Sequence, residues 1–218
     1  MVGDPLDRIG EDQLRVLRVA RFASRYNFEI DDKTSKAIQK NSDLSEISKE
    51  RIVEEFLKAF KKNTSFKPFL DIITKLGIWD QIFGDFKINT NVVETNDIIL
   101  YLSNLLKDND SEQLEDLTKV FKWSSDIKDS IKFLISLKDF DPELVSKYFK
   151  EKKRIRIDNE TILNFLDLSD IQNKEMILKF LEYIPSVKAV ELIKLGFKGE
   201  KLGAEIKRLE IEKFKELL

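Results

Sequence analysis

A fold built of helices alone is what the sequence predicts, on three observations. Apolar residues recur three and four positions apart along nearly the whole chain, as in Ile52, Phe56, Leu57 and Phe60 and again in Leu144, Val145, Tyr148 and Phe149. That is the spacing of one helix face. Seven Gly and four Pro in 218 residues are less than half the usual share, so helix breakers are few, as are the tight turns that sandwiches and barrels need. The third observation is a series of N-cap candidates just ahead of the periodic runs: Ser48, Asn96 or Asp97, Ser111, Asp141 with Pro142 at the first helical position, Asp158, Ser169 and Ser186. Together they predict roughly ten to twelve helices joined by short turns, the first a single helix over 8–28. No solenoid repeat is present. Polar loop chemistry marks soft boundaries near 87–94 and near 153–160, and the chain divides into 1–62, 63–157 and 158–218.

Composition excludes much. With no Cys and no His the chain offers no disulfide framework, zinc finger, thiol nucleophile or imidazole base. Charge is nearly balanced overall, at −2, but uneven: residues 80–146 carry −7 and the ten residues 147–156 carry +5. No global field would draw the whole protein onto nucleic acid, so local patches must do so. The N-terminus lacks an apolar signal core and no run approaches membrane-spanning length, which predicts a cytoplasmic protein without a membrane partner.

The first predicted helix carries the most information. At about 100° per residue, Arg15, Arg18, Arg21 and Arg25 fall at about 0°, 300°, 240° and 280°, one stripe about 120° wide. A solvated face, with Glu11 and Asp12 paired to Arg15, would explain an acidic-acidic-x-x-Arg pattern by itself. Yet all five basic residues from Arg8 to Arg25 are Arg in a chain otherwise rich in Lys, and Arg suits forked, planar contacts to phosphates and base edges. Cytosine and adenine both present an amino donor beside a ring-nitrogen acceptor, whereas uracil and guanine present a carbonyl beside an N–H. A carboxylate next to a guanidinium therefore complements C and A and leaves unpaired groups against U and G. Asp12 and Arg15 supply that pair.

The stretch Val-Gly-Asp-Pro-Leu-Asp-Arg-Ile-Gly-Glu-Asp-Gln-Leu-Arg-Val-Leu-Arg-Val-Ala-Arg-Phe-Ala, from Val2, closely resembles the neck of class II tRNA nucleotidyltransferases, the CCA-adding enzymes and their poly(A) polymerase relatives. Residues 28–58 resemble that family's continuation, with Phe28-Glu-Ile-Asp, Ala37-Ile38, Glu50-Arg51-Ile52, Glu55 and Lys58. Residues 66–86 resemble its helix and Leu76-Gly77-Ile78 turn, and 188–203, with Leu195-Gly196-Phe197 and Gly199 to Gly203, its tail. The likeness is weak over about 95–180.

The resemblance implies an all-α neck (1–62), body (63–157) and tail (158–218). It also implies that Asp12 and Arg15 read the base of incoming CTP or ATP with Glu11 orienting them, while Arg18 and Arg21 line the nucleotide pocket. In that family a preceding head domain supplies a Gly-Ser loop and an Asp-x-Asp pair that binds Mg²⁺. Here no Gly is followed by Ser, and Asp108-Asn-Asp110 and Asp139-Phe-Asp141 sit in turn and N-cap contexts. The expectation is a chain without catalytic residues or a metal site of its own, inactive alone. Either it meets a head polypeptide in trans or its sequence is part of a longer one. The partners implied are tRNA and that head.

Two further patches are candidates for RNA. Lys152, Lys153, Arg154 and Arg156 lie in the densest basic run; phosphate contact and a dipole-favoured helix end explain it equally well. Lys198 and Lys201, with Gly196, Gly199 and Gly203, belong to a short helix-turn-helix connection whose amides suit a phosphate, and the tail resemblance favours tRNA there. A non-catalytic helical RNA-binding module and a scaffold offering the arginine stripe to an acidic protein are the alternatives.

Overall fold

The computed structural model describes residues 3–62, 66–84, 86–89, 91–93, 95–121 and 123–218, without the side chains of 62 and 117–121. Val2, at the start of the family-like stretch, and Thr90 and Glu94, in the predicted boundary, lie outside the described residues. Among the described residues the regular structure is wholly helical: α1 (Pro5–Glu11), α2 (Arg15–Tyr26), α3 (Asp32–Lys40), α4 (Lys49–Lys62), α5 (Lys67–Lys75), α6 (Trp79–Phe83), α7 (Ile98–Leu105), α8 (Ser111–Phe121), α9 (Ser125–Ser136), α10 (Val145–Ile155), α11 (Asn159–Leu168), α12 (Lys174–Glu182), α13 (Ala189–Lys194) and α14 (Gly199–Lys215). The chain forms two compact units, Met1–Lys128 and Asp129–Leu218, and the division falls inside α9.

In the first unit α2 packs on α4 and α5, α1 on α3, and α4 on α8. Phe56 of α4 is the hub of the interior. Its ring meets Phe66, Phe69 and Phe83 edge-on at 4.8, 5.8 and 5.6 Å, and Phe66 in turn meets Tyr101 of α7 at 5.2 Å. Edge-to-face rings at these separations add to the area they bury. Phe66, Phe69 and Phe83 are buried as the periodicity predicts; Trp79 is half-buried and stacks on Phe83 at 4.1 Å.

The predicted continuous helix over 8–28 is instead two helices. Asp12 leaves α1 in extended conformation, its Oδ1 accepts the Leu14 N–H at 3.2 Å and its carbonyl accepts the Arg15 N–H at 3.0 Å. Asp12 thus caps the turn that leads into α2. On one straight helix Leu14 would sit about 140° from Ile9; the break lets both be buried. α2 closes at Asn27, which adopts φ 51°, a left-handed position that Asn tolerates better than most residues. Gly77 ends α5 in a Schellman arrangement, with Ile78 N–H on Ile73 and Gly77 N–H on Thr74.

Within the predicted boundary near 87–94, Lys87 and Asn89 are tied by hydrogen bonds to α7 and the turn after it. Asn89 donates its side-chain amide to Asn104 Oδ1 at 2.8 Å and its backbone N–H to Leu105 at 2.8 Å. Asn109 exchanges bonds with Lys87, at 2.9 and 2.7 Å. In the second unit, rings of Phe140, Tyr148, Phe180 and Phe214 cluster. Buried Glu210 of α14 accepts from the Tyr183 hydroxyl and from the Val187 N–H. Burial and Glu210 together hold the Tyr183 phenol well above its ordinary value.

Of the predicted caps, Asp97, Asp141 and Asp158 do cap helical turns, and Ser48 directly precedes α4, its carbonyl accepting from Arg51 and Ile52. Asp110 rather than Ser111 caps α8, exchanging bonds with Gln113. Ser169 closes α11 instead of opening a helix. Ser186 falls short of α13, because the Val187 N–H is directed to Glu210. Fourteen α-helices among the described residues exceed the expectation because of the break at Asp12 and of pieces as short as α6 and α13.

Phe56→Ala removes the hub ring, so it should destabilise the first unit by about 3–5 kcal/mol, read as a lowered urea midpoint with unchanged helix content in water.

Candidate nucleotide site and basic patches

Of the four stripe arginines on α2, the one nearest the apolar face is Arg21, about 110° from its centre against about 170° for Arg18. Arg21 is accordingly the buried one, 10% exposed at its side chain, and its Nε donates to Glu55 Oε2 at 2.8 Å. Glu55, on α4 and only 2% exposed, also takes Arg18 Nε and Lys58 Nζ on Oε1, each at 3.4 Å. Burial disfavours its charge, yet the Arg21 hydrogen bond and the charges of Arg21 and Lys58 outweigh that, and the carboxyl sits below its ordinary value. A second strut from α4 is Arg51, whose Nη2 reaches Asp12 Oδ1 at 3.4 Å.

Arg15 opens α2. Its Nη1 donates to Glu11 at 2.7 Å and to the Arg8 carbonyl, so Glu11 does hold Arg15, and the Arg15 hydrogen bond lowers the Glu11 carboxyl. Both bonds use Nη1. Nε and Nη2 of Arg15 make no hydrogen bond among the described residues, nor does Asp12 Oδ2, which Arg18 Nη1 approaches to 3.8 Å. Asp12 and Arg15 are not paired with each other. Arg15 and Arg18 line a cavity of about 340 Å³ with Phe22, Phe28, Glu29 and Asp31 among its walls. The structure therefore brings Arg15 and Arg18 to an open space, sets Asp12 at the entry of α2, and turns Arg21 inward, away from the cavity where the stripe placed it.

Sequence reasoning gave Glu55 and Arg51 no part in this site. The signal was available: Glu55 lies about 60° from Ile52 on α4, at the edge of the stripe made by Ile52, Phe56 and Ala59, where a carboxylate needs a cation.

The basic candidates lie in the second unit. Lys152, Lys153 and Arg154 form the last turn of α10, where the dipole favours cations, and Arg156 ends it at φ 56°. Lys152 donates to Asn159 and Arg154 pairs with Asp129; burial pulls Lys152 below its ordinary value against the pull of Asp158. Lys153, Arg156, Lys198 and Lys201 are exposed and make no ion pair among the described residues. Gly196, at φ 94°, closes α13 and Lys198 precedes α14, but Gly203 lies within α14 rather than in the connection. No carboxylate cluster fit for Mg²⁺ occurs among the described residues, and Asp110 and Asp141 cap helical turns. No described helix is long and apolar enough to cross a membrane.

Residues 27–88 match the family described as "Probable RNA and SrmB- binding site of polymerase A". The chain is 29% identical over 184 residues to the CCA-adding enzyme of Lactobacillus helveticus, covering 78% of this chain and 44% of that one. It is 26% identical over 234 aligned positions to the A-adding tRNA nucleotidyltransferase of Aquifex aeolicus, covering 93% and 28%. A solved CCA-adding enzyme with CTP shares the fold at a TM-score of 0.57, with 15% identity, over 94% of this chain and 56% of that one. Fold and matches alike liken this all-helical chain to the helical portion of those enzymes. The chain is similar to class II tRNA nucleotidyltransferases, and it spans less than half the length of the two curated relatives.

Glu55→Gln leaves Arg21 buried without its counter-charge and should cost about 3 kcal/mol near neutral pH. Because the folded carboxyl lies below its usual 4.5, that stabilisation is present above 4.5 and is lost as pH falls through the depressed value. Wild type and variant should therefore converge in acid, as measured by urea unfolding from pH 7 to pH 3.

Proposed function

We propose that this chain is the nucleotide-selecting and tRNA-holding part of a tRNA nucleotidyltransferase that adds CMP and AMP from CTP and ATP to tRNA 3′ ends. The neck, 1–62, selects the nucleotide; the body, 63–157, and the tail, 158–218, hold tRNA; a head supplied by another polypeptide or another part of a longer chain carries out the chemistry. The observation that carries the reading is the pairing of unused groups at the start of α2. Asp12 Oδ2 is an acceptor and Arg15 Nε and Nη2 are donors, all without hydrogen bonds among the described residues; Arg15 lines a cavity with Arg18, and Asp12 stands three residues before Arg15 at the entry of α2. An exocyclic amine meets the carboxylate and a ring nitrogen meets the guanidinium. U and G present a donor to the guanidinium and an acceptor to the carboxylate, a mismatch worth about 1–3 kcal/mol when dry.

Each side chain keeps a separate task. Glu11 orients Arg15 through the bond already formed. Arg18 faces the cavity as a phosphate or sugar contact. Arg21, instead of touching nucleotide, holds Glu55 and so keeps α2 on α4. Lys153, Arg156, Lys198 and Lys201 supply uncommitted cations to tRNA phosphates, with Lys152 and Arg154 beside them.

With a head-like polypeptide present, Asp12→Ala or Arg15→Ala should lower incorporation of C and A relative to U and G by about 10- to 100-fold, measured with each labelled triphosphate on tRNA. Unchanged selectivity refutes base reading by this pair. For the chain alone, tRNA affinity should fall steeply with salt. Replacing Lys153 and Arg156 together by Ala should reduce the log–log salt slope by about two; an unaltered slope removes those residues from the interface.

A further inference from the structure

The first unit leaves three aromatic rings in water within seven residues. Phe22 is 43% exposed, Tyr26 50% and Phe28 65%, although most rings of this chain are interior. They are not scattered. Phe22 and Tyr26 stack with centroids 6.2 Å apart and planes 8° from parallel, and Tyr26 stacks on Phe28 at 5.5 Å and 27°. The interior of the same unit mixes edge-on contacts around Phe56 with stacked pairs, Phe66 on Phe69 and Trp79 on Phe83, so exposure, and not stacking, marks this ladder off from the core.

Cations accompany the ladder. Arg25 Cζ lies 5.1 Å from the Tyr26 centroid and Arg21 Cζ 4.2 Å from that of Phe22. The cavity bounded by Phe22 and Phe28 is also lined by Arg18. Arg25 is exposed and makes no ion pair among the described residues. Of the nearby carboxylates, Asp31 is occupied in capping α3 through Thr34, which leaves Glu29 as an acceptor on the cavity wall. Near-parallel exposed rings edged by guanidiniums complement a strand that is at once aromatic and anionic. A purely apolar protein segment would use the rings and leave Arg25 without a partner.

We propose that Phe22, Tyr26 and Phe28 form a stacking platform for unpaired nucleotides of an RNA strand, with Arg25 meeting its phosphates. The platform is separate from the base-reading pair, since Asp12 and Arg15 discriminate edges whereas rings accept the face of any base. The inference rests on the reading of the chain as one that handles RNA, and its test needs neither a head nor a nucleoside triphosphate.

The experiment measures fluorescence anisotropy of a labelled single-stranded RNA hexanucleotide, a blunt RNA duplex and tRNA with the full chain, as wild type and as Tyr26→Ala, Tyr26→Leu, Tyr26→Trp and Phe28→Ala. Loss of stacking should weaken hexanucleotide binding about 5- to 100-fold in the Ala and Leu variants, spare Tyr26→Trp, and leave the duplex unaffected. Emission of Tyr26→Trp beyond that of the wild type should be quenched by the hexanucleotide. Equal hexanucleotide affinity in wild type and Tyr26→Leu overturns the proposal, as does equal weakening for the duplex. So does a change in oligomeric state or head binding without any change in RNA affinity, which would assign the ladder to a protein. If tRNA itself does not bind, the broader reading fails; if tRNA binds and the hexanucleotide is indifferent to the rings, the platform alone fails.

Discussion

Much of the first unit's site depends on one buried carboxylate. Glu55 gathers Arg21, Arg18 and Lys58 and joins α2 to α4 with a charged contact in a place otherwise filled by Phe56, Val53 and Ala20. Apolar packing alone specifies rotation of one helix about another weakly, because Leu and Val side chains accept many neighbours. A guanidinium facing a carboxylate accepts few. Removing either partner strands a charge in the interior, so the pair restricts register more than it adds stability.

That restriction reaches the start of α2. Arg18 divides its contacts between Glu55 and Asp12, and Arg51 on the same helix as Glu55 also meets Asp12. Asp12 is therefore held from two sides while its own side chain caps the turn into α2. A capping residue has extended backbone and a short, fixed side chain, which gives the remaining oxygen a defined direction. The helix break and the candidate base-reading carboxylate are thus one feature: had α1 run straight into α2, Asp12 would have projected like any other residue of the helix face.

Helical class was legible because periodicity and scarce Gly and Pro act on the same outcome, and Asp97, Asp141 and Asp158 were legible as caps because each stands within four residues of the apolar positions that open a periodic segment, Asp141 with Pro142 behind it. The break at Asp12 was not. Nothing in Glu11 to Leu14 is a poor helix former strong enough to announce it, and the cause is tertiary, the need to bury both Ile9 and Leu14. Arg21 illustrates the same limit. Angular position marks it as the arginine nearest the core, but only the distant Glu55, 34 positions away, decides that it turns inward. Ser186 was misread for a related reason, since a carboxylate on α14 takes the N–H of Val187. Local pattern predicts which residues share a face; partners far along the chain determine which of them reach solvent.

The aromatic ladder shows where that distinction bears on function. Phe22 lies about 150° from the centre of the apolar face of α2, on the side where Arg18 and Arg25 stand, so the pattern places a large ring among cations. A ring half out of water forgoes part of the roughly 1.5–3 kcal/mol that full burial would supply. The chain does not lack interior room for rings, as Phe56, Phe66, Phe69 and Phe83 show in the same unit. Three rings set outside a core that readily takes aromatics, stacked in sequence and edged by guanidiniums, have the form of a surface that a planar, charged partner completes.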